Sequence, residues 1–119
     1  MALQLREETP VGAGGPFPGT VLLHKDTTPL AVNETRTAEI EISHCSKLGG
    51  SLYADQACTL NLYYGQDAVN YGPAESQSVS AGQTIEWDAD PVYNRALKIE
   101  IVNGATEMTA FRNHIRGRA

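Results

Sequence analysis

Three histidines, two cysteines and one run of alternating carboxylates are the residues of this chain best equipped to catalyse or to ligate. His24, His44 and His114 are isolated from one another in the sequence. None lies in an H-E-x-x-H zinc motif, and neither the G-x-S-x-G nucleophile elbow nor the G-x-x-x-x-G-K-S/T phosphate loop occurs. His44 stands beside Cys45, a pairing that suggests a thiol nucleophile, but neighbouring residues of a strand point to opposite faces, so the two side chains diverge. A site made from His24, His44 and Asp88 would need distant segments to converge, and no motif draws them together. The expectation is a protein that is not an enzyme, with no catalytic residues and no cofactor.

The carboxylates Glu86, Asp88 and Asp90 flank Trp87 in Glu-Trp-Asp-Ala-Asp-Pro91. Spacing by two puts all three on one side of a strand, and calcium takes six to eight oxygens that such a group and nearby carbonyls supply in part. The simpler reading is a wet strand face that ends where Asp90-Pro91 breaks the strand. We take that reading, with no metal bound, and note that the same face suits Arg or Lys of a partner. Five tyrosines and one tryptophan offer rings for stacking on sugars, with Tyr63 and Tyr93 the solvent-facing candidates, so a glycan is a possible partner. Cys45 and Cys58 match no zinc or redox spacing. Alternation sets Cys58 inward with Leu60 and Leu62, and Cys45 outward with Glu39, Glu41 and Ser43. A cross-strand bridge needs both on one face, so reduced thiols are expected.

The elements that must position these residues are strands. The chain has 119 residues, 41% hydrophobic and 19% charged, the profile of one globular domain. Its net charge of -5 argues against a nucleic-acid binder driven by bulk charge. The uncharged stretch after Thr9 is broken by Pro10, Pro16 and Pro18, which excludes a membrane helix there, and no export signal pattern is visible at the N-terminus. Without such a signal the Asn33-Glu-Thr35 glycosylation sequon carries little weight.

Residues 20–115 follow period two and show no convincing period of 3.6. Thr37 to His44 alternates Ala38, Ile40 and Ile42 against Glu39 and Glu41. Cys58 to Tyr64 buries Leu60 and Leu62, and Thr84 to Asp88 pairs Ile85 with Trp87. Ala96 to Val102 sets Leu97, Ile99 and Ile101 against Lys98 and Glu100. A short strand is expected over Thr20 to Lys25 and a last one over Thr106 to Ile115. Weaker strands are expected at Val69 to Tyr71, Gln77 to Val79 and Leu30 to Val32. Lys47-Leu-Gly-Gly50 reads as a turn, Ser51 to Ala57 as one helical turn at most, and Asn103-Gly104 as a two-residue type I′ hairpin. Seven or eight such strands make an all-β, single antiparallel β-sandwich of jelly-roll or immunoglobulin-like order.

Two terminal zones flank it. Residues 1–19 are rich in Gly and Pro and read as an extended N-terminal arm, whose Leu3, Leu5, Val11 and Phe17 suit contact with a neighbouring subunit. Residues 116–119 form a basic C-terminal tail. Arg112, Arg116 and Arg118 fall within the last eight residues and leave the chain before them at six cations against fourteen acids, so these arginines suit an acidic partner surface.

The Gly/Pro leader, the opening Thr20-Val-Leu-Leu, the Leu-Asn-Leu-Tyr-Tyr strand, the Val-Ser-Ala-Gly-Gln-Thr-Ile turn and strand, and the closing Ala-Leu-Lys-Ile-Glu-Ile-Val-Asn-Gly-Ala-Thr follow in order. Over residues 20–110 this pattern resembles the small β-sandwich virion proteins of tailed bacteriophages, the head decoration (cement) proteins and related tail accessories. The resemblance implies a structural protein made in the host cytoplasm and carried on the virion. Copies would bind the major capsid protein lattice and stabilise the head, or sit at the tail or head–tail connector. It implies a homo-oligomer or many copies in one assembly, with no nucleic acid and no membrane as partner. A carbohydrate-binding sandwich is the alternative of a different class.

Overall fold

The computed structural model describes residues 20–91 and 94–119, and their alternating apolar residues fold as eight strands. These are β1 (Val21–Asp26), β2 (Thr35–Glu41), β3 (Lys47–Ala54), β4 (Cys58–Gly65), β5 (Glu75–Val79), β6 (Thr84–Ala89), β7 (Ala96–Asn103) and β8 (Phe111–Arg118). One four-stranded sheet has the order β1-β8-β3-β6 and the other β2-β7-β4-β5, and every pairing is antiparallel. Only β4 and β5 are consecutive strands of one sheet; every other connection crosses the sandwich. Two interlocked Greek keys with these orders are a jelly roll, which decides between the two sandwich orders expected from the sequence.

The core lies between the sheets. Leu30, Ile42, Leu52, Leu97 and Ile115 are fully enclosed there, with Leu60, Ile99 and Ile101 nearly so. The inward residues of β2, β4, β6 and β7 are those the alternation marks. At roughly 1.5–3 kcal/mol for each fully buried aliphatic side chain, this layer supplies the main force holding the sheets together.

Several local expectations are corrected. Lys47–Gly50 is the first half of β3, and Ser51–Ala54 its second half, so neither a turn nor a helical turn is present. Gly50 is there because Trp87 of β6 lies across β3: a Cβ on Gly50 would fall 2.3 Å from the indole ring. Asn103-Gly104 does not close a hairpin, since β7 and β8 belong to different sheets. The Asn103 side chain instead donates to the carbonyls of Ala31 (2.8 Å) and Thr106 (2.9 Å), tying two crossings together. The last strand is therefore displaced to Phe111–Arg118, and the supposed tail from residue 116 continues that strand. Val69–Tyr71 contributes one bridge, Gly65 to Tyr71, and Leu30–Val32 lies in the β1–β2 connection.

Cys45 is buried rather than outward. The β2 ladder ends at Glu41, and Cys45 N–H donates to Ile42 O (3.0 Å) in a turn that resets the parity. Both cysteines are free thiols, and burial pushes both above the ordinary thiol range.

One side chain missed by the pattern organises the end of the sandwich. Arg36 occupies an inward position at the start of β2 and pairs with Asp26 (3.0 Å) and Glu34 (3.0 Å). It also donates to the carbonyl of Thr28 and lies over the Phe111 ring at 5.9 Å. One guanidinium thus joins the β1–β2 crossing to the first residue of β8.

Candidate functional site, a charge-divided sheet face

Alternation along β8 buries Phe111, Asn113, Ile115 and Gly117 and turns Arg112, His114, Arg116 and Arg118 outward. The register then fixes what stands beside each. Arg116 is opposite Leu22 of β1 on one side and Gly49 of β3 on the other, and Gly49 is opposite Asp88 of β6. His114 is opposite Lys25 and Ser51, and Ser51 is opposite Glu86. Arg112 is opposite Tyr53, and Arg118 is opposite Lys47. The outer face of this sheet therefore carries a basic half on β1 and β8, a central strip on β3 containing Gly49 and Ser51, and an acidic half on β6.

Five of the nine Lys and Arg residues of an acidic chain lie on this face: Lys25, Lys47, Arg112, Arg116 and Arg118. The Arg112 guanidinium lies 4.5 Å from the centre of the Tyr53 ring, and Lys47 Nζ is 2.7 Å from Asp90 Oδ1. His114 is half-buried among Lys25, Arg116 and Arg112; burial first, then these cations, hold its imidazole below the ordinary histidine pKa. A depression of about 390 Å³ is lined by Gly49, Arg116 and Asp88, with Lys47, Asp90 and Arg118 around it.

Arg112, Arg116 and Arg118, expected as a tail contact, are thus brought together as alternate residues of one central strand. Leu3, Leu5, Val11 and Phe17 lie outside the described residues, as does Tyr93. Glu86 and Asp88 share the outer side of β6 and Asp90 follows it, all exposed, as the spacing predicts. Among the described residues, no three His, Cys, Asp or Glu side chains form a group able to hold a metal. His24 is on β1, His44 in the turn after Ile42 and Asp88 on β6, so the fold leaves them on separate elements.

The outer face of the other sheet is differently furnished. Tyr63 is half-buried, and the Lys98 ammonium sits 4.6 Å from its ring centre and 4.9 Å from that of Tyr71. Glu100 accepts from Asn61 (2.9 Å) and from the Tyr63 hydroxyl (3.3 Å), and Asn61 in turn accepts from Ser76 (2.6 Å). A sugar stacking on Tyr63 would have to compete with Lys98 for the ring.

No family model and no curated protein matches the sequence. The fold does have solved relatives. The PBSX exported protein XepA aligns over 99% of this chain with a TM-score of 0.73 at 17% identity, and this chain spans 50% of its length. A subunit of the Bacillus endospore appendages, a family of disulfide-linked pili, aligns over 99% of this chain and 98% of its own, with a TM-score of 0.52 at 19% identity. PirA aligns over 77% of this chain and 92% of its own, with a TM-score of 0.50 at 14% identity. At these identities the likeness is one of fold, a small all-β sandwich.

Proposed function

We propose that this chain is a non-enzymatic structural subunit that works in many copies within a protein assembly, and that the assembly is a bacteriophage virion. The observation that carries the reading is the charge-divided face. It is an open sheet surface, four strands wide, with cations and anions segregated on rigid β positions, which is a surface for meeting another folded protein.

Three further points support it. The eight-stranded jelly roll is an architecture that recurs in viral capsid proteins. One fold relative is a phage-derived exported protein, and another is the subunit of a pilus, a polymer of small sandwiches nearly the length of this chain. The sequence resemblance to decoration and tail accessory proteins points to the same class. Within that class we favour attachment to the major capsid protein lattice as a cement, with a tail or connector position as the alternative. Repeated weak contacts on a lattice give avidity that no single contact supplies.

The test is the sedimentation of the native protein in lysate of its source. Co-migration with particles of megadalton size is the expected result, and cryo-electron microscopy of that fraction assigns head or tail. A slow peak at 12.8 kDa or a small multiple, in lysate that contains particles, overturns the virion reading.

A further inference from the structure

Among the described strands, β2 is the last in the order β2-β7-β4-β5, and its seven residues pair with β7 without a break in register. Glu34 O accepts from Asn103 N–H (2.9 Å), and Ile42 N–H donates to Arg95 O (2.8 Å), so the even-numbered residues turn their backbone polar groups toward β7. Alternate residues of an antiparallel strand face opposite sides. The N–H and C=O of Thr35, Thr37, Glu39 and Glu41 therefore point away from the sheet, and all four residues are exposed. The other edges carry the guards that natural sheets use. The β1 ladder shifts between Leu22 and His24, β5 has five residues, and β6 is followed by Asp90-Pro91. β2 has no bulge, proline, glycine or lysine, and its inward Arg36 is neutralised by Asp26 and Glu34 of its own chain.

We infer that this edge pairs with the same edge of a second copy of this chain, antiparallel and centred on Ala38, so that two four-stranded sheets join as one. The inference rests on the assembly reading above and deepens it by naming the partner and the surface.

The strand sequence Thr-Arg-Thr-Ala-Glu-Ile-Glu selects partner and register together. New ladder bonds must join edge-facing residues of one copy to edge-facing residues of the other. A two-fold axis through Ala38 pairs Thr35 with Glu41 and Thr37 with Glu39, and repeats both pairs beyond the axis. This register engages all four residues, each pair exchanging two backbone bonds. Centring on Thr37 or Glu39 engages only three and sets the central residue against itself. The Ala38 register also puts every carboxylate beside a threonine hydroxyl, a donor for its acceptor, with no two carboxylates directly opposite. Glu41 already accepts from the Ser43 N–H (3.1 Å) and hydroxyl (2.6 Å), which fills about half of a carboxylate's lone-pair sites. Lys98 stands opposite Glu39 on β7 and offsets the negative charge gathered at the seam. The attachment itself is carried by backbone groups that have no partner in their own sheet, as in strand addition generally. On the inner side Ala38 meets its own counterpart, where backbones of a non-hydrogen-bonded pair lie about 4.5 Å apart, and the two methyl groups extend the apolar layer that Ala38 already joins.

The experiment is analytical ultracentrifugation of the full chain, with each variant checked for native circular dichroism. Wild type is expected to form a dimer that persists near 1 M salt, where the Debye length falls to about 3 Å. Thr37→Pro removes an outward N–H without touching the β7 ladder and is expected to weaken the dimer by about tenfold or more. Ala38→Cys is expected to give a disulfide-linked dimer on oxidation, because the axis sets that thiol opposite its own copy. Thr35→Cys, which lies opposite Glu41, is expected to stay unlinked, and the native Cys45 and Cys58 are buried. The two cysteine variants decide alone should Thr37→Pro lose its native spectrum.

A monomer at every concentration overturns the inference, and so does a dimer indifferent to a folded Thr37→Pro. Cross-linking through Thr35→Cys in place of Ala38→Cys overturns the register, and an open-ended polymer overturns the two-fold axis. These results are separable from the virion reading. A monomer that still co-sediments with particles removes the strand pairing alone, and a cross-linked dimer that stays out of the particle fraction removes the virion alone.

Discussion

His114 and Gly50 show how much a single position decides here. His114 sits on the basic half of the outer face, and burial followed by Lys25, Arg116 and Arg112 lowers its pKa. Protonation is then easier in the unfolded chain than in the folded one, so its contribution to stability is intact above the unfolded value of about 6.5 and is lost as pH falls from there toward the folded value. Urea midpoints measured between neutral and mildly acid pH should fall for wild type and fall less for His114→Gln. Asp55 acts in a lower window. It accepts from the Thr109 hydroxyl (2.6 Å) and from the backbone of Thr109 and Ala110, which hold its carboxyl below the ordinary aspartate range. Its contribution is present above about 3.9 and lost as pH falls through its folded value, so Asp55→Asn should flatten the acid limb of the same profile. Gly50 is a steric matter: Gly50→Ala must displace the Trp87 indole and should cost about 1–3 kcal/mol in denaturant titrations. Gly49→Ala places its Cβ no nearer than 3.6 Å to the Trp87 carbonyl and should fold almost as stably as wild type.

Among the elements, the β1–β2 crossing is held at its start by the Arg36 guanidinium and further along by the Asn103 side chain. Arg36→Ala would take the guanidinium from Asp26 and Glu34, leaving them only their backbone bonds from Thr28 and Ala31, and free the carbonyl of Thr28, at about 2 kcal/mol, with faster amide exchange over residues 27–34 as the local signature. Arg36→Lys should recover only part of this, because an ammonium cannot reproduce the fork that reaches both carboxylates. The strands differed in how plainly the sequence announced them. In β2, β4 and β7, isoleucine and leucine alternate with charged or hydroxyl residues, and half-buried sheets leave that trace. β3 reads as a turn because of its paired glycines, and Gly50 answers to Trp87, some 37 residues later, which is outside any local window. β8 carries Asn113 and Gly117 at inward positions, the latter because a Cβ there would meet Cys45 Sγ at 2.7 Å, so its apolar period is faint. The acidic half of the face was legible, since one strand carries it. The basic half was visible only as composition, because bringing Lys25, Lys47 and Arg116 onto one face is the work of the order β1-β8-β3-β6, and strand order is not written in spacing.

At the scale of the molecule, the two outer faces divide the labour. One is occupied by its own Lys98–Tyr63–Glu100–Asn61 network, and the other presents separated charge. A glycan array should therefore return no retained ligand, and Tyr63→Ala should leave that result unchanged. The thermal midpoint should be indifferent to millimolar calcium and to chelator, since Glu86 and Asp88 stand side by side on an exposed strand and, among the described residues, no third group closes around an ion. A clear upward shift with calcium would show the acidic half to be a metal site instead.

The pairing of β1 with β8 has a consequence for how the protein is made. Val21 is bonded in register to Gly117, and β8 lies inside its sheet, between β1 and β3. On the ribosome, the first strand of the jelly roll emerges long before β8, its neighbour among the described strands, has been translated. The apolar faces of β2, β4 and β7 can meet early, but the opposite sheet lacks its middle strand until synthesis has passed Arg118. Folding of such a chain is slow to complete and leaves β1 and β3 with unpaired edges in the interval. A nascent chain stalled before Phe111 should be captured by chaperones and digested readily, whereas emergence of β8 through Arg118 should confer protease resistance to both sheets at once.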